Sequence, residues 1–474
     1  MAREPADLSG DALAKPRDRQ AAPLALDGDY ALSAAFVDRV IRAADRGDGA
    51  RLGELVQGLR PADVADLMGF LSADYRSQIV PLIAADDLAE ILAELDTNIR
   101  EEVLEAVAPA ALAKALAGLD SDDAADVVDD LDETKRRSVL AAMPAIDRSA
   151  IEASLAYADD SAGRLMQREV VYAPQFWTVG QTMDHMGREG EDLPELFFDV
   201  YVVDPTMRPV GAAPVSRLVR VARQTPLVEV MEAVTEIPVD MDQEEVAYIF
   251  DKYHLISAPV VDLGGRLVGQ ITVDDVVGVI QEESEEDMLA LANVSDAGRD
   301  ASTGGIVRTR LPWLVVNLVT ETVAVSAIAI FQNEVARIVA LAVLLPIISS
   351  LGNNASVQTL AVAVRSLAAR ELNAANAWRV IWREVVAGLF NGVALSLIMG
   401  AAVMAFYHDW KLALTAALAL MADILIAAIV GIVAPLTLEK LGRDPAVSSP
   451  IIVTFTTDFV GFFALLAIAA WILV

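Results

Sequence analysis

The chain has 474 residues, of which 55% are hydrophobic, and carries 36 Lys and Arg against 68 Asp and Glu, a formal net charge of −32. The first 302 residues hold 26 basic and 59 acidic side chains, whereas the remainder holds 10 and 9 and is nearly neutral. This division excludes a fully soluble enzyme, and it excludes a nucleic-acid-binding protein, whose surface would be basic. The absence of cysteine excludes disulfides, thiolate metal sites and cysteine nucleophiles. With three histidines in the whole chain, a His-rich zinc site is disfavoured.

The N-terminal part is predicted to be helical from residue 32 to 160. Residues 1–31 are rich in Ala, Asp and Pro without the apolar core of a signal peptide, so we expect a disordered tail. Ala65, Ala89 and Ala113 mark three copies of an apolar pattern with a period of 24 residues, and Ala125 begins a fourth after half a period. Apolar residues at i, i+3, i+4 and i+7 within each copy predict an acidic, superhelical stack of short helices.

Residues 161–281 change to short strands that alternate with short helices. In the second half, the segment from Gly269 to Val276 resembles the end of a cystathionine-β-synthase (CBS) repeat, in which Thr272 and Asp275 would hydrogen-bond the ribose of a nucleotide such as ATP. The first half has Pro214 and Arg217 at those positions, so we expect its nucleotide site to be lost. The interpretation is a tandem CBS module of α+β type.

A run of acidic side chains follows between residues 282 and 287, and residues 282–307 are predicted to form a helix that links the CBS module to the membrane. Such a run is commonly only a solvated face. Its place between a regulatory module and the first membrane span makes a cation-sensing role an equal alternative.

Residues 308–474 contain five apolar stretches, each long enough to cross about 30 Å of hydrocarbon as a helix. Basic residues precede the first stretch and lie in the second and fourth connections, which places the N-terminal part in the cytoplasm and the C-terminus outside. We predict a multi-pass protein of a bacterial inner (plasma) membrane, in contact with lipid. The predicted spans are 311–331, 335–360, 385–407, 412–438 and 447–474.

Polar side chains inside the spans are the informative ones, because a polar group in hydrocarbon needs a partner or water. In the second span, Pro346, Gly352 and two asparagines should loosen the helix and free backbone carbonyls. An oxygen-only donor set suits a hard cation, and Mg²⁺ in particular needs few carboxylates because it keeps most of its waters. A proton relay through an aspartate stays open. The polar residues within or beside the spans are Glu321, Asn354, Gln358, Glu384, Asn391, Asp423 and Asp458.

The order of these parts, from residue 32 to the end, resembles the MgtE family of magnesium transporters. The segments that carry the resemblance are Ser121–Asp126, Ser161–Met166, Met241–Ala247, Leu311–Trp313, Pro346–Gln358 and Asp444–Asp458. The resemblance implies a homodimer that takes up Mg²⁺ through a channel, and it implies feedback. Cytosolic Mg²⁺ would bridge carboxylates of the N-domain, CBS module and linking helix and close the gate.

By position, the resemblance places Asp458 as the pore carboxylate around hydrated Mg²⁺ and Asn354 in the adjacent pore motif. In that motif Asn353 and Ser356 replace glycines, and Ala428 stands where some members carry an asparagine, which puts ion selectivity in question. The sensor carboxylates implied by the resemblance are Asp122, Asp126, Asp242, Glu244, Asp275, Glu283, Glu286, Asp287 and Asp444, with Asp251 as an addition, whereas His254 and Gly278 stand at two positions where carboxylates are missing.

Two other functions remain open at this point. A transporter of Co²⁺ or Mn²⁺ with the same architecture would fit the altered pore motif. A nucleotide-regulated membrane enzyme would need a nucleophile and a base. The only histidine of the membrane part, His408, is predicted to lie in an outer turn, so we expect no enzyme.

Overall fold

The structure is a computed structural model that describes residues 25–27, 31–84, 87–188, 193–194, 196–292, 294, 303–372 and 376–473. Most of the predicted N-terminal tail therefore lies outside the described residues. The chain forms two compact units, Met1–Val277 and Gly278–Val474.

The first unit begins with ten short helices around one apolar core. Several begin at sequence signals for a helix start: Ser33 and Asp132 cap α1 and α9 with side-chain oxygens, and Pro109 opens α7. Helices pack on the next but one along the chain, α3 on α5, α5 on α7 and α7 on α9, as expected for a helical stack. The helices are α1 (Ala34–Asp45), α2 (Gly49–Gln57), α3 (Pro61–Phe70), α4 (Ala73–Ile79), α5 (Leu88–Glu94), α6 (Thr97–Ala106), α7 (Pro109–Leu116), α8 (Ser121–Asp129), α9 (Glu133–Ala142) and α10 (Ala145–Ser154).

Two sheets of the same design follow, which confirms the predicted tandem CBS module. In each, the first strand pairs in parallel with the second, the second pairs antiparallel with the third, and the register shifts at the last residue of the middle strand. The elements are α11 (Ala162–Leu165), β1 (Tyr172–Pro174), α12 (Val179–Arg188), β2 (Asp199–Val203), β3 (Pro209–Pro214), α13 (Val215–Leu218), β4 (Ile237–Pro238), α14 (Gln243–Tyr253), β5 (Ser257–Val261) and β6 (Leu267–Thr272).

Helix α15 (Val273–Leu291) starts directly after β6, with Asp274 and Asp275 in its first turn. Negatively charged side chains stabilise this end of a helix because they interact favourably with the helix dipole. The predicted linking helix, 282–307, is therefore not one element. Its first residues continue α15, its last residues begin the next helix at Thr303, and residues 293 and 295–302 lie outside the described part of the chain.

The second unit contains five helices that are long and apolar enough to span a membrane, as predicted. Their ends differ from the predicted ends by up to eight residues, because the first three of them extend past the apolar stretches through segments that contain basic residues. A short helix lies in the connection between the first two long helices. The helices are α16 (Thr303–Ile330), α17 (Gln332–Arg337), α18 (Ala340–Ala368), α19 (Ala377–Tyr407), α20 (Trp410–Lys440) and α21 (Pro445–Ile472).

Helix α20 lies at the centre of this unit and packs against α18, α19 and α21. It buries small residues such as Ala416 and Ala427, which let the helix backbones approach closely. Such close packing stabilises membrane helices against each other, because lipid provides no hydrophobic driving force for their association. Ala428 faces Gly388 of α19, where an added Cβ would lie 2.7 Å from the Ala428 Cβ. Helices α19 and α20 therefore pack closely at this position.

The predicted loosening of the second span was wrong. Helix α18 is unbroken from Ala340 to Ala368 and passes through Pro346, Gly352 and both asparagines. Pro346 lies inside this helix and removes one backbone hydrogen bond, yet the helix continues past it. In hydrocarbon, opening the helix further would leave several backbone groups unsatisfied, each at a cost of several kcal/mol.

Candidate functional site: two groups of acidic residues and a carboxylate in the membrane unit

The first acidic group consists of carboxylates of α8 and of Asp275 in the first turn of α15. Asp122 is only 7% exposed, and its Oδ1 has no hydrogen-bond partner among the described residues. Burial, followed by the nearby charges of Asp275 and Asp123, raises the pKa of Asp122 well above its ordinary value. The structure therefore brings together two predicted carboxylates that are 153 positions apart in the sequence.

Asp275 is perturbed for the same reason. Burial raises its pKa to about 7, although its hydrogen bonds with Thr272 act in the opposite direction. The Thr272 hydroxyl donates to Asp275 Oδ2 at 2.7 Å, and the Thr272 N–H donates to the same oxygen at 3.3 Å. Burial also raises the pKa of Asp123, to about 6. At neutral pH this group of carboxylates favours the uptake of protons or of another cation.

Arg164 of α11 supplies positive charge to the same helix. Its guanidinium lies 3.3 Å from Asp126 Oδ1 and 3.0 Å from Asp129 Oδ2, and its side chain is almost fully buried. Burial raises the pKa of Asp126, and Arg164 and then Arg100 oppose that rise. The sequence did not predict this ion pair because Arg164 is 38 positions away from Asp126. A local sequence pattern cannot predict a contact between residues so far apart in the chain.

The remaining predicted sensor residues of the first unit lie on or next to α14. Asp242 caps this helix by accepting a hydrogen bond from the Glu244 N–H at 3.0 Å, and Asp251 is exposed two turns further on. His254 ends the helix in a left-handed conformation, with φ of 53°. Asp242 therefore has a structural role as the N-cap of α14, and this role requires an aspartate-like side chain without any bound ion.

The second acidic group lies in the membrane-side unit. Burial raises the pKa of Asp287 on α15 to about 6, and the charges of Asp444, Glu283 and Glu286 add to this effect. Asp444 also caps α21, because its Oδ1 accepts from the Ala446 N–H at 2.7 Å. The structure therefore brings together four of the predicted sensor residues, three from α15 and Asp444 from the start of α21, which are far apart in the sequence.

In the membrane unit, Asp458 lies midway along α21 and is 7% exposed. The Ser349 hydroxyl of α18 donates a hydrogen bond to its Oδ1, and Glu321 of α16 is a second hydrogen-bond partner. One turn earlier, the Thr454 hydroxyl donates to the Asn353 side-chain oxygen at 3.1 Å. Two hydrogen-bonded pairs thus join α18 to α21 around the predicted pore carboxylate.

Asn354, the amide assigned to the pore motif by resemblance, is exposed on α18, whereas the neighbouring Asn353 contacts α21. Successive residues on a helix point about 100° apart, so only one of the two can face α21. Asp423 of α20 is a carboxylate for which the sequence assigned no site. Its side chain is 0% exposed and interacts electrostatically with Asp458.

At the CBS module, the two halves differ in the contacts of the residues at the predicted nucleotide positions. Thr272 and Asp275 hydrogen-bond each other in the second half. In the first half, Arg217 donates to the Val230 carbonyl at 3.0 Å and forms an ion pair with Glu232 at 2.7 Å. Within the described residues, no three His, Cys, Asp or Glu side chains lie close enough to hold one metal ion in common. An ion at either acidic group would therefore retain water ligands.

Comparison with known proteins identifies the family. Three family models match: an MgtE intracellular N domain over residues 59–160, a CBS domain over 227–282 and the MgtE divalent cation transporter domain over 345–468. The chain is also 33% identical over 331 residues to the magnesium transporter MgtE of Thermus thermophilus, covering 69% of this chain and 73% of the relative. The chain belongs to the MgtE family.

Other MgtE relatives include the magnesium transporters of Enterococcus faecalis, with 32% identity over 65% of this chain and 68% of the relative, and of Bacillus subtilis, with 29% identity over 70% and 73%. Among solved structures, the cytosolic domain of the Mg²⁺ channel MgtE in complex with ATP is 31% identical, with a TM-score of 0.48, over 51% of this chain and 99% of that domain. The soluble part of a magnesium transporter is 24% identical, with a TM-score of 0.46, over 53% of this chain and 98% of that structure.

Proposed function

We propose that this MgtE-family protein takes up Mg²⁺ across the bacterial inner membrane as a homodimeric channel or channel-like transporter, with its N-terminal unit in the cytoplasm and its C-terminus outside. The supporting observation is the placement of Asp458, a buried carboxylate midway along a membrane helix and oriented by Ser349. A cation that keeps its waters needs only one or two such carboxylates, so the geometry suits hydrated Mg²⁺.

The acidic groups supply the regulation in this proposal. Asp122 is buried with one oxygen that has no hydrogen-bond partner among the described residues, and the like charge of Asp275 acts on it, so a bound cation would remove an electrostatic penalty. The like charges around Asp287 would be relieved by a cation in the same way. Cytosolic Mg²⁺ would therefore favour the state in which these carboxylates are close together, which is the closed state of the channel. ATP would bind at Thr272 and Asp275, whose hydrogen bond to Oδ2 leaves Oδ1 of the aspartate to accept from a ribose hydroxyl.

Uptake of Mg²⁺ by liposomes that contain the full chain tests the pore assignment. We expect Asp458→Asn to reduce uptake by tenfold or more on the usual scale for a pathway charge. Glu439→Gln removes an exposed carboxylate from the cytoplasmic end of α20 and should leave uptake unchanged. Full uptake by the Asp458→Asn protein would refute the proposed pore.

A second candidate, transport of Co²⁺ or Mn²⁺, rests on the pore motif itself. Asn353 and Ser356 stand at glycine positions, Asn353 reaches α21, and the buried Ser356 hydroxyl donates to the Asn353 carbonyl at 2.8 Å. These contacts could alter the width of the pathway. Competition fluxes decide between the candidates: inhibition of Mg²⁺ uptake by equimolar Co²⁺ or Mn²⁺ would favour the second.

A further inference from the structure

The first turn of α8 is held by a carboxylate from another part of the chain. Glu169, which lies between α11 and β1, accepts two hydrogen bonds at its Oε2, from the Ser121 N–H at 3.2 Å and from the Ser121 hydroxyl at 2.9 Å. The same hydroxyl accepts a hydrogen bond from the Arg168 N–H at 2.8 Å, and Ser121 is only 3% exposed. Three hydrogen bonds therefore join the N-terminal end of α8 to Arg168 and Glu169.

Glu169 acts on α8 as an N-cap residue acts on its own helix. In α9, for example, the side chain of Asp132 accepts hydrogen bonds from N–H groups of the first turn, and the helix dipole favours its negative charge. Hydrogen bonds to an ionised carboxylate are also stronger than those between neutral groups. Asp132 directly precedes its helix, whereas Glu169 is 48 positions away from Ser121. This cap is therefore present only while α8 lies against the segment that contains Glu169.

The segment that contains Glu169 is fixed to the second CBS sheet. Gln167 and Gln270 of β6 exchange two backbone hydrogen bonds, both of 2.9 Å. The side-chain amide of Gln270 donates to the Gln167 side-chain oxygen and to the Glu169 carbonyl, both at 3.0 Å. A Cβ added to Gly269 would lie 2.6 Å from the Gln167 carbonyl oxygen, so the two backbones are in close contact. Glu169 therefore belongs to the CBS module, and its hydrogen bonds to Ser121 hold the N-terminal stack against that module.

Asp122 directly follows Ser121, and the charge of Asp275 acts on its carboxyl group. We propose that Glu169 is a positioning residue of the cation sensor, which holds the first turn of α8 on the CBS module and thereby places Asp122 beside Asp275. The inference rests on the proposed regulation by cytosolic Mg²⁺. Glu169 itself binds no ion. Because its contact with Ser121 forms only in the state in which the acidic residues are close together, it favours that state.

Loss of this contact should favour the open state of the channel. Glu169→Ala removes the acceptor of both hydrogen bonds, whereas Glu169→Gln keeps an oxygen that can accept from Ser121. Removal of a helix cap typically shifts an equilibrium about fivefold. The cytosolic Mg²⁺ concentration that half-inhibits uptake should therefore rise about fivefold in Glu169→Ala and less in Glu169→Gln. The maximal uptake at low cytosolic Mg²⁺ should stay the same in both variants, because Glu169 is not part of the pore.

The test measures uptake by the full chain in liposomes over a range of Mg²⁺ concentrations on the cytosolic side. Glu102→Ala is the matched control, because the Oε2 of Glu102 also accepts two hydrogen bonds, from Arg76 Nε at 3.0 Å and Nη2 at 2.7 Å, but both residues lie within the N-terminal stack. This control should lower the stability of the stack and leave the half-inhibiting concentration unchanged. A half-inhibiting concentration that is unchanged in Glu169→Ala, or raised equally in Glu169→Ala and Glu102→Ala, would overturn the proposal.

Hydrogen exchange of the full chain in detergent measures the same contact without transport. In Mg²⁺-free solution, the amides in the first turn of α8 should exchange about fivefold faster in Glu169→Ala than in the wild type, whereas Glu102→Ala should change the exchange of α6 instead. Unchanged exchange of α8 in Glu169→Ala would overturn the proposal even if the channel is confirmed. Failure of the proposed function has a different result: cytosolic Mg²⁺ then changes uptake in none of the proteins, while the exchange difference persists and supports the contact.

Discussion

The carboxylate Asp275 offers the sharpest test of how the N-terminal unit responds to cations. Its pKa in the folded chain is about 7, against an ordinary value of 3.8. The folded state thus binds more protons than the unfolded state between these two pH values, so stability increases as the pH falls from 7 towards 4. Above pH 7, the ionised Asp275 costs the folded state up to about 4 kcal/mol.

Replacing Asp275 by asparagine should remove this cost. The asparagine keeps an oxygen that can accept the 2.7 Å hydrogen bond from the Thr272 hydroxyl, and it removes the negative charge that acts on Asp122. At pH 8 without Mg²⁺, we expect the amides of α8 to exchange with deuterium at least tenfold more slowly in the variant. This corresponds to about 1.4 kcal/mol or more, a fraction of the full cost.

Hydrogen exchange of the full chain, with and without Mg²⁺, provides the measurement. In the wild type, Mg²⁺ should protect α8, whereas in Asp275→Asn most of this protection should already be present without the ion. Asp274→Asn is the matched control, because it removes an exposed carboxylate from the adjacent position. The reasoning fails if Asp275→Asn and Asp274→Asn show the same exchange and the same Mg²⁺ dependence.

Three further changes have definite expected outcomes. Arg164→Ala breaks a buried ion pair and should lower the free energy of unfolding of the N-terminal unit by about 2 kcal/mol, measured by denaturant titration. Gly352→Ala should destabilise the membrane unit by about 3 kcal/mol because its Cβ overlaps a carboxyl group, whereas Gly400→Ala, whose Cβ would lie 3.5 Å from the nearest atom, should be tolerated in a thermal-stability assay. Asp287→Asn should raise the cytosolic Mg²⁺ concentration that half-inhibits uptake several-fold; because the pKa of Asp287 is about 6, lowering the pH from 7 to 5 should reproduce that change in the wild type.

The fold was predictable because its signals are local. Apolar residues spaced along single helices predicted the N-terminal stack, and five uninterrupted apolar stretches predicted the membrane unit. The change to short strands that alternate with short helices predicted the two sheets of the CBS module. Each of these signals lies within about 30 residues, which is the range over which periodicity and turn chemistry operate.

The site was only partly predictable because its contacts are distant in sequence. The resemblance selected Asp458, but which side of α18 faces it depends on helix rotation, and the structure places Asn353 there rather than Asn354. Asp423 was visible as a polar residue in a span, yet its isolation depends on glycines in two other helices. Arg164 likewise meets its partners only through the docking of separate helices. Such contacts follow from tertiary packing, which no window of sequence contains.

The position of α8 against Asp275 also has a consequence for biosynthesis. Residues 1–277 precede the membrane unit, and at 5–20 residues per second their synthesis takes roughly 15–55 s. Asp275 is among the last residues of this unit to emerge, so the contact between α8 and Asp275 can form only after nearly all of the unit has been made. The Mg²⁺ concentration around the ribosome at that moment would bear on whether this contact forms before the first membrane helix is made.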